Sequence, residues 1–444
     1  MVEDSELNFL GERFVFSTLD KVPFAINKRL PGFLDAAPIF NLSRVGEEKI
    51  SSKHQDAIFT FVAQVVGREV GVMLCDFRYR GGSFGQKNAL RVNAFFDFLL
   101  AKGLPLVFFI ESIGVRFSEG RSVFKHGFGI IPYLKKFAAR NLLITCSIGP
   151  TLGLGAPFFA AGHYRVATTQ SLINLTGPEV FRLFFGQKID FEQAFGVDHL
   201  IGENHLIQER TASLPDLLER VKYLLNPPRK QWTSVPDESV KAHIESTLDQ
   251  GLELLIEKSK SVRLFVLPTP HGVIGVFYNP YNKLNLIGVD DIQKIRSGLV
   301  LFARMGLKIV SLMDSSGGDP RVEENDRNIA TEVYDLCCDL IDYPNRMKGV
   351  ILGRCFGGAA VLSFPPFYGG EKTLVLEGAR IGVMGDEVVS TLLQGSKYAI
   401  REWESARSWE KNYQDLADIG LMDRVISIGE LFTELEAFAS LPDC

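Results

Sequence analysis

The chain has 444 residues with a formal charge of −5, 46% hydrophobic and 23% charged residues. That length exceeds one ordinary core and predicts two domains of roughly 200 residues each, and the composition leaves little room for long disorder. Lys and Arg are scattered, so no basic footprint for nucleic acid is present. The first thirty residues carry acids and lack a long apolar run, which is unlike a secretory signal, and no segment reaches the roughly 18 to 20 apolar residues of a membrane span. Six cysteines stand at Cys75, Cys146, Cys337, Cys338, Cys355 and Cys444, mostly in apolar runs and without a CxxC pair. This is the usage of buried, reduced thiols, and it predicts a cytoplasmic protein without nucleic-acid or membrane partners.

In chain order, the first apolar strand is GVMLCDF (71–77), followed by GGSFG (81–85), an amphipathic helix and a buried strand, PLVFFIES (105–112). The next strand, LLITCSIG, runs into a Gly-rich turn, GPTLGLGA (149–156); then come RVATTQSLINLTGPE (165–179) and AFGVDHLI (194–201). A polar, Pro-containing segment (226–250) reads as a link that ends in a helix through about residue 260. Beyond it the same order recurs: GVIGVFYNP (272–280), a helix over 287–305, KIVSLMDSSGG (308–318), a strand running into GRCFGGAA (353–360), KTLVLEGARIGVMGDE (372–387) and ADIGLMDRVI (417–426). Five landmarks matched in one order predict a tandem repeat of one α/β domain, over residues 1–240 and 241–444. Strands alternating with helices point to sheets covered by helices; the alternative is two unrelated α/β domains.

These motifs resemble the carboxyltransferase component (beta-type) of biotin-dependent acyl-CoA carboxylases, within the crotonase-like superfamily. The resemblance spans roughly residues 60 to 430. GGSFG, with Gly82 and Ser83, looks like the family's glycine-serine turn, and ESIGVRFSEG (111–120) is similar to its Asp-Ser-Gly-Gly-Ala-Arg segment, with Arg116, Glu119 and Gly120 at matching positions. LTGPEV (175–180), with Thr176, Gly177 and Pro178, matches almost letter for letter, and His199 and His205 fall where the family has two histidines. FGGAA (356–360) and ARIGVMG (379–385), with Met384 and Gly385, match the second Gly-rich turn and its following strand. Glu111, Ile113 and Leu154 depart from the pattern, as does SSGGDP (315–320), which replaces a proline-glycine-phenylalanine turn. The resemblance implies tandem crotonase-like (ClpP/crotonase) domains, each a β-β-α superhelix.

Forming a carbon nucleophile beside a thioester places negative charge on the thioester oxygen, and backbone N–H groups aimed at that oxygen stabilise it. A Gly-rich turn leading from a strand into a helix offers such donors. By resemblance, Gly153, Leu154 and Gly155 would form one oxyanion hole, and Gly357, Gly358 and Ala359 another, facing the first. One would take the acyl-CoA enolate and the other the ureido oxygen of biotin, the assignment being open. Carboxybiotin on a separate carrier protein would release CO2, its anion would take the α proton, and the enolate would capture the CO2. The resemblance further implies acyl-CoA as substrate, no metal, and an oligomer whose sites lie between subunits. It places the biotin carboxylase and biotin carboxyl carrier protein on other chains, since neither an ATP-binding domain nor an MKM motif is found here.

Several residues keep two readings. Arg116 would pair with a CoA phosphate or with Glu119. Thr176, Gly177 and Pro178 would shape the acyl-CoA channel, or start a helix with Thr as the cap. Val361 would line an apolar acyl pocket or pack in the core. His199 and His205 lack the spacing of helical metal pairs and read as structural; His163 reads as packing. No serine near the turns (Ser112, Ser147, Ser315, Ser316) sits in a G-x-S-x-G elbow, and Cys355 has no assignable histidine. Two rival functions stand: a biotin-independent decarboxylase of a malonyl-type thioester, and a non-catalytic acyl-CoA-binding or assembly paralogue.

Overall fold

The computed structural model describes residues 6–9, 12–19, 30, 32–33, 39–44, 57–185, 190–203, 206–230, 240–254, 259, 261–280, 285–382 and 413–442. The chain divides into two compact units, Met1–Asn226 and Pro227–Cys444. The division lies at the head of the polar link, ahead of the boundary expected at 240.

In the first unit the strands are β1 (Glu6–Phe9), β2 (Glu12–Leu19), β3 (Ile39–Arg44), β4 (Ile58–Val65), β5 (Arg68–Cys75), β6 (Leu106–Ser112), β7 (Leu143–Leu152), β8 (Tyr164–Thr168), β9 (Leu172–Asn174) and β10 (Glu209–Thr211). They form one sheet in the order β1-β2-β3-β4-β5-β6-β7-β8-β10, with β9 added to the end of β7. The pairs up to β4–β5 are antiparallel, and those from β5 onward are parallel. Strands buried on both faces need continuous apolar runs rather than alternation, and β6 and β7 supply them with LVFFI and LITC.

The second unit repeats this plan. Its strands are β11 (Leu252–Leu254), β12 (Arg263–Pro268), β13 (Val273–Asn279), β14 (Leu286–Ile287), β15 (Lys308–Ser315), β16 (Gly317–Gly318), β17 (Met347–Phe356), β18 (Glu371–Leu376), β19 (Arg380–Gly382) and β20 (Met422–Ile426). The main sheet runs β11-β12-β13-β15-β17-β18-β20, with β19 on the end of β17, and β14 pairs with β16. An antiparallel pair, β12–β13, again leads into a parallel series. The expected tandem of α/β units is therefore present.

Helices bury their apolar faces against each sheet. Gln86–Lys102 begins after Gly85, whose N–H donates to Asn88 Oδ1 at 2.9 Å; Val289–Arg304 begins after Gly288, whose N–H donates to Asp291 Oδ2 at 3.0 Å. Each helix then approaches a strand glycine. A Cβ on Gly71 would lie 2.5 Å from Leu99 Cδ1, and one on Gly275 would lie 2.4 Å from Phe302 Cδ2. Leu99 and Phe302 are fully buried, each contributing about 1.5–3 kcal/mol of apolar transfer.

Two expectations change. The link helix is Val240–Leu248 and does not continue to 260: the chain turns at Gly251, whose N–H donates to Leu248 O at 2.8 Å, and re-enters the sheet as β11. The likeness of AFGVDHLI to ADIGLMDRVI is one of letters only. Val197–Glu203 is helical, whereas Met422–Ile426 is a strand beside β18; the strand that holds the matching place beside β8 is β10.

Gly82 lies at φ +63°, and a Cβ there would stand 2.1 Å from the carbonyl oxygen of Glu111. Gly82→Ala is expected to destabilise the first unit by at least about 2 kcal/mol, read as a lower urea midpoint with unchanged slope.

Candidate functional site: two strand-end turns

Both turns arise where a central parallel strand outruns its neighbour. In the first unit the register of β6 against β7 jumps from Ile110 opposite Ser147 to Ser112 opposite Thr151. In the second, β15 against β17 jumps from Met313 opposite Ile351 to Ser315 opposite Cys355. Past these bulges a short strand holds each strand end: β9 pairs Pro150–Leu152, and β19 pairs Arg354–Phe356. The chain then reverses through Gly153 at φ +55° and Gly357 at φ +51°, a backbone region that costs side-chain-bearing residues energy. Helix Gly155–Ala160 follows the first turn; a 3₁₀ turn Gly357–Ala359 and helix Ala360–Ser363 follow the second.

Helical turns leave their first N–H groups without an internal partner. Gly153 N–H is used, donating to Asn174 O at 3.0 Å. The amides of Leu154 and Gly155 stand at the head of the first helical turn, and those of Gly358 and Ala359 within the second. Leu154 does not crowd its turn. It lies in the right-handed helical region at φ −65°, and its side chain, 5% exposed, joins the hydrophobic core of the first unit.

In each unit a second segment that sequence reasoning missed meets the turn. After β6, Gly114 O accepts from Phe84 N and Arg116 N donates to Phe84 O, both at 2.8 Å. Gly114 N–H is taken by Ser112 Oγ at 3.0 Å. In a parallel pairing this leaves the Val115 N–H on the opposite edge, the edge where Gly114 meets the turn: a Cβ on Gly114 would lie 2.8 Å from Leu154 N. The second unit repeats the pattern. Gly317 N–H donates to Ser315 Oγ at 3.1 Å, and Asp319 N–H to Ile287 O at 2.9 Å. Gly318, paired opposite Ile287, turns its N–H the other way, 3.5 Å from where a Cβ on Gly358 would stand. The geometry thus brings the Gly114–Val115 segment to Leu154, and Gly318 to Gly358. Aligning ESIGVR on DSSGGD would have revealed both.

The side chains singled out from sequence fall into place around these amides. Arg116, 5% exposed, donates to Ser83 Oγ at 3.2 Å, to Ser83 O at 2.9 Å and to Glu119 Oε1 at 3.2 Å. Glu119 Oε2 accepts from Gln86 N at 2.7 Å. Arg116 is thus paired with Glu119 and, with Gly82 and Ser83, fixes the segment carrying Gly114 and Val115. Pro178 opens helix Pro178–Phe185, with Gly177 O accepting from Phe181 N; Thr176, expected as the cap, lies one residue further out and accepts from Asn174 Nδ2. Thr176 and Gly177 come directly after the strand that holds Gly153. Val361 is half-buried beside Ser311, Leu340, Met347 and Tyr368 in a shallow cleft, back along the strands from Gly357.

His163 is buried, and its Nδ1 accepts from Leu143 N at 3.0 Å; His199 is exposed. His205, Met384 and Gly385 lie outside the described residues. Among the described residues no group of His, Cys, Asp and Glu could hold a metal ion, and no helix is long and apolar enough to cross a membrane. Cys355 is buried beneath the second turn, and burial pushes its thiol up to about 11. It is therefore a thiol, not a thiolate nucleophile, at neutral pH.

Residues 32–250 match the carboxyl transferase domain. A probable biotin-dependent acyl-coenzyme A carboxylase beta3 subunit of Mycobacterium tuberculosis is 23% identical over 342 residues, covering 70% of this chain and 68% of the relative. The propionyl-CoA carboxylase carboxyltransferase subunit of Haloferax mediterranei is 22% identical, covering 96% of this chain and 92% of its own. Among solved structures, the transcarboxylase 12S hexamer with methylmalonyl-coenzyme A and methylmalonic acid bound aligns at 18% identity with a TM-score of 0.80, covering 93% of this chain and 88% of that one. A single-chain, multi-domain long-chain acyl-CoA carboxylase aligns at 18% identity with a TM-score of 0.72, covering 86% of this chain and 42% of that one.

With its thiol protonated and buried, Cys355 is expected to resist iodoacetamide at pH 8 in the folded protein and to react once urea unfolds it. Peptide mass spectrometry reads the difference.

Proposed function

We propose that this relative of the carboxyltransferase subunits of biotin-dependent acyl-CoA carboxylases moves a carboxyl group between carboxybiotin, presented by a separate carrier protein, and the α-carbon of an acyl-CoA such as acetyl- or propionyl-CoA. The observation that carries the reading is the recurrence in both units of a strand-end segment meeting a Gly-rich turn, Gly114 at Leu154 and Gly318 at Gly358; we read Val115 with Leu154, and Gly318 with Gly358, as amide pairs. One pair would serve the thioester oxygen and the other the ureido oxygen. The donor set fits both groups: each presents a carbonyl-type oxygen that gains negative charge, and each donor is a backbone N–H on a turn whose approach is kept clear by glycine at 114, 317 and 358. Carboxybiotin would supply the carboxyl group and a basic ureido nitrogen for the α proton. The chain's own part is then to bind, orient and stabilise charge. Phe84, Asn174 and Ile287 anchor the backbone on either side of the donors, so little reorganisation is needed as charge develops. The functional unit would be an oligomer working with biotin carboxylase and carrier subunits.

Purified protein incubated with malonyl-CoA or methylmalonyl-CoA, with and without free biotin, and followed by mass spectrometry, tests the proposal. Loss of the carboxylate only with biotin is expected. Loss without biotin would make the protein a decarboxylase, and failure to bind any acyl-CoA by calorimetry would make it a non-catalytic paralogue.

The amide of Leu154 can be tested separately, because its φ of −65° suits proline. Leu154→Pro deletes the N–H and is expected to lower kcat by roughly 10²–10³-fold relative to Leu154→Ala, which keeps the N–H and loses a comparable part of the side chain.

A further inference from the structure

Both units lay a carboxylate over the glycine of the bulge, Glu111 over Gly149, where a Cβ would stand 2.6 Å from Oε1, and Asp314 over Gly353, but they differ in what else holds it. In the first, hydroxyls add to it: Ser147 Oγ and Thr151 Oγ1 lie 2.8 Å apart, Ser147 Oγ is 3.2 Å from Gly149 O, and Thr151 Oγ1 is 3.3 Å from both Ile110 O and Gly149 O. In the second, Cys355 takes the place of Thr151 and Ile351 that of Ser147. There the carboxylate binds the backbone and side chain of the strand it covers. Asp314, the residue at the register jump, accepts from Arg354 N at 2.7 Å and from Arg354 Nε at 2.9 Å through Oδ1, with Oδ2 3.3 Å from Nη2. Its side chain is 2% exposed, and it lies flat over Gly353, where a Cβ would stand 2.9 Å from Oδ1. In the first unit the place of Arg354 is taken by Pro150, which has no N–H to offer Glu111.

We infer that Asp314, acting through Arg354, is the positioning residue of the second turn: it replaces the ladder bonds missing at the bulge and so sets where Gly357, Gly358 and Ala359 present their amides. Arg354 is three residues ahead of Gly357, and β19 pairs with Arg354–Phe356 as the strand leaves the bulge. An error at Arg354 N is therefore carried to the turn. The catalytic consequence rests on the proposed carboxyl transfer; the positional consequence does not.

The test uses the full chain. Hydrogen exchange followed by mass spectrometry is compared between wild type and Asp314→Asn for peptides covering 353–360 and 149–156, alongside kcat and the KM of each ligand. Exchange at 353–360 is expected to speed up at least about tenfold while 149–156 stays unchanged. In the same variant kcat should fall by roughly 10²-fold, the cost of a misplacement of about 1 Å. The KM of only one ligand should rise, and Arg354→Lys, which keeps the backbone N–H and a cation beside Asp314, should lose less than Asp314→Asn. Unchanged exchange at 353–360, or equal changes in both peptides, would overturn the inference. Altered exchange at 353–360 alone, in a protein whose wild type turns over no thioester, would leave the positioning role standing and remove the proposed reaction. Should Asp314→Asn not fold, Arg354→Gln keeps the backbone bond to Asp314 and is expected to show a smaller change confined to the same peptide; no change there would equally sink the idea.

Discussion

A parallel sheet spends its backbone N–H groups on its own ladder, so amides become available to a ligand only where that ladder is broken and the break is held open. Both units break it at one place, the jump from Ile110 and Met313 to Ser112 and Ser315. Beyond the jump the central strand no longer pairs in register with its neighbour. It is caught instead by a short outer strand, β9 or β19. The left-handed glycine and the short helical turn beyond it are consequences of that interruption. The polar residues nearby are engaged in maintaining it: Ser112 and Ser315 each occupy one glycine amide, Arg116 and Glu119 lock the segment that carries Val115, and Asp314 holds Arg354.

That division of labour explains how much of the molecule is legible in its sequence. Buried parallel strands leave continuous apolar runs, and turns that need positive φ leave glycines, so LVFFIES, KIVSLMDS, GPTLGLGA and GRCFGGAA all read correctly in place and order. The repeat is visible for the same reason. Elements whose role depends on pairing rather than composition are less legible: GVDHLI and LMDRVI look alike, yet one packs as a helix and the other joins a sheet, because edge position and not letter sequence decides between them. The link helix reads too long because the short strand after it is set by pairing with β12.

The site divides along the same line. The turns announce themselves through glycine, but the partner amides at Val115 and Gly318 have no compositional mark, since which edge of a strand an N–H faces is a matter of register. Arg116 is legible as a charged residue of interest, but its burial against Ser83 and Glu119 is not. Cys355 resembles a strand-end nucleophile, and burial again decides against it.

Leu154 illustrates the freedom a sequence gains when the working atom belongs to the backbone. Its side chain belongs to the core of the first unit while its N–H stands at the head of the turn, so packing and any use of the amide would act on one residue through separate atoms. Such a position can drift from glycine to leucine without any change in the electrostatics offered to a ligand, provided the new side chain finds room inward. Divergence of the side chain at such a turn is then weak grounds for concluding that what its backbone presents has changed.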